Sequence, residues 1–270
     1  MVATTGKSQL LIGNDCSGVI NVSFAGALAC IYTRKDRGKT GGNEDAAALI
    51  PCGEMAGVLA IADGLGGIAG GDKASSTAIT VLANTVSRQC EPALLRDSIL
   101  DSIEKANNTI LEMGTGSATT IIVIEVNNRT IRSYHAGDSM ALITGQRGKL
   151  KYQTIPHSPI GYALESGFME QDEAMTHDER HIISNVVGSS DMRLELGPLI
   201  RLDTYDTLML ASDGLYDNLT IEEIINIIRC GPLDRCAHEL VDLCDERMSN
   251  KTNSELCKPD DMTFILYRLK

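Results

Sequence analysis

Carboxylates recur along this chain beside turn residues and at the ends of apolar runs. Glu44 and Asp45 stand in Asn43-Glu44-Asp45, and Asp63 in Ala62-Asp63-Gly64-Leu65-Gly66-Gly67. Asp213 stands in Ser212-Asp213-Gly214, and Asp260 and Asp261 follow Pro259. Residues 58–61 lead into Asp63, residues 207–211 lead into Asp213, and residues 263–267 follow Asp260, each as an apolar run. Short apolar runs bounded by Gly, Pro and Asp read as buried strands. Carboxylates at the ends of several strands can meet at one rim, where bare charges repel and push one another toward protonation. Hard divalent cations relieve that conflict, since Mg²⁺ and Mn²⁺ favour octahedral sites of carboxylate, carbonyl and water oxygen. Two such ions about 3.5–4 Å apart ionise a shared water and hold a phosphoryl group in line. Metal-assisted hydrolysis is the chemistry these residues suggest.

The elements that must position them follow from periodicity. Residues 1–20 are expected to form an irregular N-terminal extension. Residues 22–33 predict a strand, and residues 72–89, after the Gly-rich turn, a helix rich in Ala, Ser and Thr. Pro92 suits the first turn of the next helix. That helix carries Leu95, Ile99, Ile103, Ala106 and Ile110 as one apolar stripe. Strands are predicted at residues 118–126, 130–135 and 140–144. Thr220 and Glu223 form a capping-box pattern ahead of Ile221, Ile224, Ile225 and Ile228. Gly231 and Pro232 end that helix and start the last one, striped by Leu233, Cys236, Leu240, Cys244 and Met248. Residues 263–269 predict the final strand. No linker, repeat or low-complexity tract interrupts residues 1–270, which read as a single domain. Strand clusters with two pairs of amphipathic helices predict an α+β protein whose helices cover stacked sheets.

Composition bounds the function. Apolar residues make up 43% of the 270, enough for a sizeable core, while aromatics are only 4% and Trp is absent, so that core is aliphatic. A formal net charge of −12 and a pI near 4.8 argue against nucleic acid or an anionic membrane as partner. Eight Cys occur without Cys-x-x-Cys or zinc spacing, and Cys230, Cys236 and Cys244 read as core packing. The N-terminus shows no basic region followed by a long apolar core. Residues 19–32 contain Asn21 and Ser23 and are too short to span a bilayer. A reduced, cytoplasmic location is the inference.

In this order, each beside a predicted strand, the acidic motifs resemble those of the metal-dependent protein phosphatases, the type 2C Ser/Thr family in its bacterial form. The resemblance runs from about residue 30 to the C-terminus. It includes Gly137-Asp138-Ser139 after the apolar run 118–124. It also includes His157-Ser158, Leu164-Glu165-Ser166-Gly167, Glu173-Ala174, His177, Arg180 and Val187-Gly188-Ser189, which are similar to the family's flap segment. The resemblance implies an α-β-β-α four-layer sandwich with two central antiparallel sheets, the metals between them at one end, and a flap at about 157–181. It implies two Mg²⁺ or Mn²⁺ per chain, with a place for a third. Asp63 would bridge both ions, the Gly64 carbonyl and Glu44 would complete the second, and Asp213 and Asp260 the first. Asp138 with Asp213 would hold the third. Asp45 and Asp217 would act through bound water, and Asp63 and Asp213 are the expected catalytic pair. Plainer readings stand beside these: Asp63 as a turn Asp bonded to its own backbone, Asp45 as a solvated surface charge, Asp138 as a β-turn residue.

Three departures from the family pattern bear on activity. Asp261 stands where the family has Asn, and alignment to Met262-Thr263 favours Asp260 as the ligand. Leu65 stands where eukaryotic relatives carry His, so the leaving oxygen must be protonated by metal-bound water or an entering group. His135, His157 and His177 read as packing or hydrogen-bonding residues. Thr40 replaces the phosphate-clamping Arg, leaving Lys39 and Arg37, with Arg34 before them, as candidate phosphate binders or as an ordinary basic loop. Lys does not freely replace a bidentate Arg. The implied function is a protein Ser/Thr phosphatase, a monomer acting on phosphoserine or phosphothreonine proteins by direct attack of a metal-bridging hydroxide. The other class is a phosphoprotein-binding regulatory pseudophosphatase with weak turnover. The intact carboxylates favour the enzyme and Thr40 favours the binding module.

Overall fold

Residue alternation along the strands decides the layering. In the strand Asp45–Pro51, Ala46, Ala48 and Ile50 join a core with the helices Gly71–Arg88 (α1) and Leu95–Glu112 (α2). Ala47 and Leu49 of the same strand join a second core, with Ile31, Leu208, Leu210, Ile265 and Tyr267 of the other sheet. In the strand Met262–Leu269, Phe264 and Leu266 face a third core, with the helices Ile221–Ile228 (α5) and Leu233–Ser249 (α6). Three apolar cores between four layers give helices, sheet, sheet, helices, the α-β-β-α sandwich that the family resemblance implies. Strands covered on both faces read as unbroken apolar runs rather than as alternation. The computed structural model describes residues 3–4, 7–13, 15–65, 70–170, 173, 177, 179, 182–249 and 257–269.

The strands in chain order are β1 (Ala3–Thr4), β2 (Gln9–Ile12), β3 (Ile20–Phe24), β4 (Ala27–Arg34), β5 (Asp45–Pro51), β6 (Ala56–Asp63) and β7 (Ile121–Asn127). They continue as β8 (Thr130–Ala136), β9 (Met140–Thr144), β10 (Leu150–Gln153), β11 (Glu195–Leu196), β12 (Ile200–Arg201), β13 (Thr207–Ala211) and β14 (Met262–Leu269). One sheet runs β1-β3-β4-β14-β13-β9-β10 and the other β11-β8-β7-β6-β5-β2, with β12 also on β8. Every pairing is antiparallel except β1 with β3. The short helices α3 (Pro159–Glu165) and α4 (Asp213–Tyr216) precede α5. The capping box of α5 is present as read: Glu223 N–H donates to Thr220 Oγ1 and Thr220 N–H to Glu223 Oε2.

Three readings are corrected. Residues 22–33 are a hairpin rather than one strand. Ala25 and Gly26 both turn with positive φ, 46° and 75°, joining β3 to β4. Two-residue hairpin turns demand that conformation, and no Asn-Gly or Asp-Gly pair announced it. Residues 1–20 are not wholly irregular: β2 pairs along β5 from Gln9 opposite Leu49 to Ile12 opposite Ala46. The third concerns β5, an Ala-rich run with weak intrinsic strand preference that the sequence reading passed over.

Register brings the acidic motifs to one end. Asp45 lies opposite Asp63, Met262 opposite Arg34, Ala211 opposite Met140, and Ile121 opposite Ala136. The starts of β5, β7, β9 and β14 therefore share a rim with the ends of β4, β6, β8 and β13. Gly137-Asp138-Ser139 crosses at this rim from one sheet to the other.

Candidate metal centre

Each carboxylate is aimed by its local backbone. Asn43 Oδ1 accepts from Asp45 N–H at 3.0 Å, and Asn43 Nδ2 donates to Thr33 Oγ1 at 2.9 Å, tying β5 to the sheet that carries β4. Asp63 sits at the end of β6, its N–H donating to Thr120 Oγ1 at 3.1 Å and its carbonyl accepting from Thr120 N–H at 2.8 Å. Gly64 follows because backbone must pass backbone there: a Cβ on it would stand 2.2 Å from the Gly71 carbonyl oxygen. That approach seats the start of α1 beside Gly64 and Glu44. Asp213 opens α4, and Ser212 links the two sheets: its N–H donates to the Thr263 carbonyl and its hydroxyl to Asp45 Oδ2 at 2.7 Å. Asp138 lies in the crossing turn, whose carbonyl accepts from Tyr216 Oη at 2.9 Å.

The result is crowded negative charge. Burial pushes the Asp63 carboxyl well above the usual range, and the charges of Asp45, Asp213, Asp138 and Asp260 add to it. Asp45, 2% exposed, is pushed up to about 8, by burial first and then by Asp261 and Asp213, against the lowering effect of the nearby Thr263 and Ser212 hydroxyls. Burial, with Asp213 and Asp217, pushes Asp138 up to about 7. Asp260 is raised by burial and by Asp213. Asp45 Oδ1 and Asp138 Oδ1 are buried without a hydrogen-bond partner. Buried polar atoms ordinarily have partners, so these orphaned oxygens in an all-oxygen donor set fit a hard divalent cation.

Two lysines enter the cluster. Lys258 Nζ contacts Asp213 Oδ2, and lies 2.9 Å from Asp217 Oδ2 and 3.2 Å from Asp260 Oδ2. Burial works against its charge, yet the three carboxylates hold its pKa above the ordinary lysine value. Sequence reasoning missed Lys258. Its position two residues before Asp260 is the signal that was available. Lys39 Nζ lies 2.5 Å from Glu44 Oε2 and 2.7 Å from Asp261 Oδ2. Asp261 points away from Asp260: it accepts from Asp36 N–H at 2.8 Å and Glu44 N–H at 2.6 Å, bracing the loop that carries Glu44. Arg37 does not join the cluster, because its guanidinium pairs with Asp245 of α6 at 2.7 Å, and the Arg34 guanidinium contacts the same carboxylate. Thr40 is exposed.

Two other groups could be taken for sites. His135, His157 and Glu195 bring three ligand atoms within 4.8 Å of one another. His157 Nδ1 accepts from Gly137 N–H and from the Asn185 amide, which places its proton on Nε2, 3.1 Å from Glu195 Oε2. In that tautomer Nε2 has no lone pair for an ion, so the histidine serves as the hydrogen-bonding residue expected of it. His135 stacks on it with ring centroids 4.5 Å apart. His177 Nδ1 accepts from Glu179 N–H. Cys90 and Arg96 stand at Cys-x₅-Arg spacing, but the turn Pro92–Leu94 and the start of α2 lie between them, so no phosphate-cradling loop joins the two.

A rim of carboxylates drawn from both sheets, on this layering, has clear relatives. The family described as protein phosphatase 2C matches residues 37–253. The chain belongs to the protein phosphatase 2C family. Protein phosphatase PhpP of Streptococcus pneumoniae is 30% identical to this phosphatase over 180 residues, covering 63% of the chain and 72% of PhpP. The structure of the S. agalactiae serine/threonine phosphatase aligns with a TM-score of 0.77 at 26% identity, over 90% of this chain and 99% of that one. The catalytic domain of PstP, solved in complex with two manganese ions, aligns with a TM-score of 0.71 at 22% identity, over 89% and 96%. The chain is a bacterial-type 2C serine/threonine phosphatase, a phosphoric monoester hydrolase.

Proposed function

We propose that this phosphatase works through two divalent cations held at the rim. Glu44, Asp63 and the Gly64 carbonyl would take one, Asp63, Asp213 and Asp260 the other, and Asp138 with Asp213 would offer a weaker third place. The observation that carries this reading is the convergence of Asp45, Asp138, Asp213 and Asp260, from both sheets, on Asp63, with Asp45 Oδ1 and Asp138 Oδ1 buried and without a hydrogen-bond partner. The two manganese ions of the PstP structure support the number. When bound, Mg²⁺ or Mn²⁺ would supply an ionised water and offset the charge of the phosphate. The chain's own residues do the rest. Asp45, held by Ser212, orients water at the centre. Asp217, next to Lys258, faces the same space. Lys39, beside Glu44, is the basic side chain placed to meet a phosphate oxygen, and Arg37, turned to Asp245, is left out of that role. Leu65 holds no proton, so the leaving serine or threonine oxygen takes its proton from water.

The flap reading, about 157–181, lies partly outside the described residues. Its beginning and the chain just past its end both meet at His157, whose N–H donates to the Gly137 carbonyl and whose carbonyl accepts from Ser184 N–H. A flap anchored beside the Asp138 turn suits a role in seating a phosphoprotein. Residues 1–270 then act as one catalytic unit. Among the described residues no helix is long and apolar enough to cross a membrane. Eight free cysteines fit a reducing compartment, and a cytoplasmic location is part of the proposal.

Turnover of a small aryl phosphate and of a phosphothreonine peptide, with and without Mn²⁺, tests the reading. It expects activity that needs the metal and is lost in Asp63→Asn. Equal turnover after exhaustive chelation would overturn it. Phosphopeptide binding without turnover would point to the regulatory module instead.

A further inference from the structure

We propose that Lys258 is a tethered competitor for the first cation, so that loading the centre exchanges its ammonium for a metal ion at Asp213 and Asp260. The inference rests on the two-cation reading above. Its first support is geometry. The ammonium touches Asp213 Oδ2 and lies 3.2 Å from Asp260 Oδ2, two of the oxygens proposed to hold that ion. An ammonium and a divalent cation cannot share those oxygens at contact distance, since like charges a few ångströms apart repel strongly in a partly buried site.

The second support is that the lysine is built into place. Its N–H donates to Asn218 Oδ1 and its carbonyl accepts from Asn218 Nδ2, both at 2.9 Å. Asn218 is fully buried and also donates to the Gly214 carbonyl at 3.0 Å, so the backbone of Lys258 is locked to the α4 turn that carries Asp213. Pro259 stiffens the next step of the chain. The side chain is 22% exposed, so its stem lies against protein rather than in solvent. A cation fixed this way acts at a high effective concentration that a free ion must outcompete.

The third support is a place for the ammonium to go. Asp217 Oδ2, 2.9 Å from Nζ, belongs to a residue that is not among the proposed ligands of the first ion. On metal entry Lys258 can release Asp213 and Asp260, keep Asp217, and leave no buried charge unpaired. The lysine would hold the carboxylate cluster together at low metal and set the concentration at which the enzyme loads.

The test is Mn²⁺ binding to the full chain, followed by calorimetry and by the paramagnetic signal of free Mn²⁺. Lys258→Gln is expected to bind the first ion tighter by on the order of ten-fold or more, and Lys258→Arg, which keeps the charge, to stay near the native value. Without metal Lys258→Gln should melt below the native protein, and saturating Mn²⁺ should close the gap. A readout on the native chain stands even if the variants fold poorly: acylation of Lys258 by acetic anhydride, read by mass spectrometry, should rise when Mn²⁺ is added. Equal Mn²⁺ affinity in native and Lys258→Gln protein would overturn the proposal, as would labelling of Lys258 that ignores Mn²⁺. Asp63→Asn separates the two readings. If it binds Mn²⁺ like the native chain, the metal centre itself is wrong. If it loses binding while Lys258→Gln changes nothing, only the competition fails.

Discussion

Gly214 lies hard against the main-chain carbonyl of Asp261: a Cβ at position 214 would stand 1.9 Å from that oxygen. The contact seats the α4 turn on the start of β14 and holds Asp213 beside Asp260. Gly214→Ala must force the two segments apart. It is expected to cost about 1–3 kcal/mol of stability, the usual range for overpacking a tight site. Mn²⁺ affinity and kcat/KM should fall with it. Denaturant unfolding in chelator and a Mn²⁺ titration measure the two effects, and full stability in the variant would show that the backbone yields there.

Asp260 and Asp261 are neighbours with different work. Asp260→Asn is expected to lose most Mn²⁺ binding and turnover. Asp261→Asn can replace only part of the bonding to Asp36 N–H, Glu44 N–H and Lys39. It should lose about 1–3 kcal/mol of stability, the range for leaving a buried partner unsatisfied, and retain metal affinity. Reversed results in the two variants would place the ligand one residue later.

The pH dependence of stability should depend on metal. With Asp45 pushed up to about 8 and Asp138 to about 7, the metal-free folded state holds protons that an unfolded carboxyl of pKa about 4 releases. Such groups add stability that is complete below the unfolded value and lost as pH rises through the folded one. In chelator the protein should therefore melt higher at about pH 5 than at about pH 8. Bound Mn²⁺ keeps the carboxylates ionised and lowers their folded pKa, so its stabilisation should instead fade on acidification. Melting curves across that range decide it, and the same slope with and without Mn²⁺ would contradict the charge assignment.

On the proposed reading, Thr40 leaves the phosphate without an arginine fork. Thr40→Arg should lower KM on small aryl phosphates by about 1–3 kcal/mol of binding if charge-assisted bonds form. Lys39→Ala should raise KM, whereas Arg37→Ala, which breaks only a surface pair with Asp245, should change kcat/KM little. Steady-state kinetics on the three variants suffice. A strong effect from Arg37 alone would mean that it leaves Asp245 when substrate binds.

The sequence by itself determined the order of the acidic motifs, the aliphatic character of the layers, and most of the helices. Those are local properties: a capping box at Thr220 and Glu223, an apolar stripe from Leu95 to Ile110, an apolar run ending at Asp63. It also placed the motif carboxylates at strand ends, and antiparallel register then brought Asp45, Asp63, Asp138, Asp213 and Asp260 to one rim. What it could not supply was direction and pairing. The hairpin at Ala25-Gly26 carries no Asn-Gly or Asp-Gly signal, and the Ala-rich β5 is a strand because layers cover both its faces. Asp260 and Asp261 look alike in the chain, yet successive residues entering a strand point opposite ways, one to Lys258 and the other to the Glu44 loop. Arg37 and Lys39 are two residues apart, but Asp245 lies 208 residues from the one and Asp261 lies 222 from the other. Only tertiary structure decides such partners, because a flexible charged side chain goes to whichever opposite charge the fold has brought within reach.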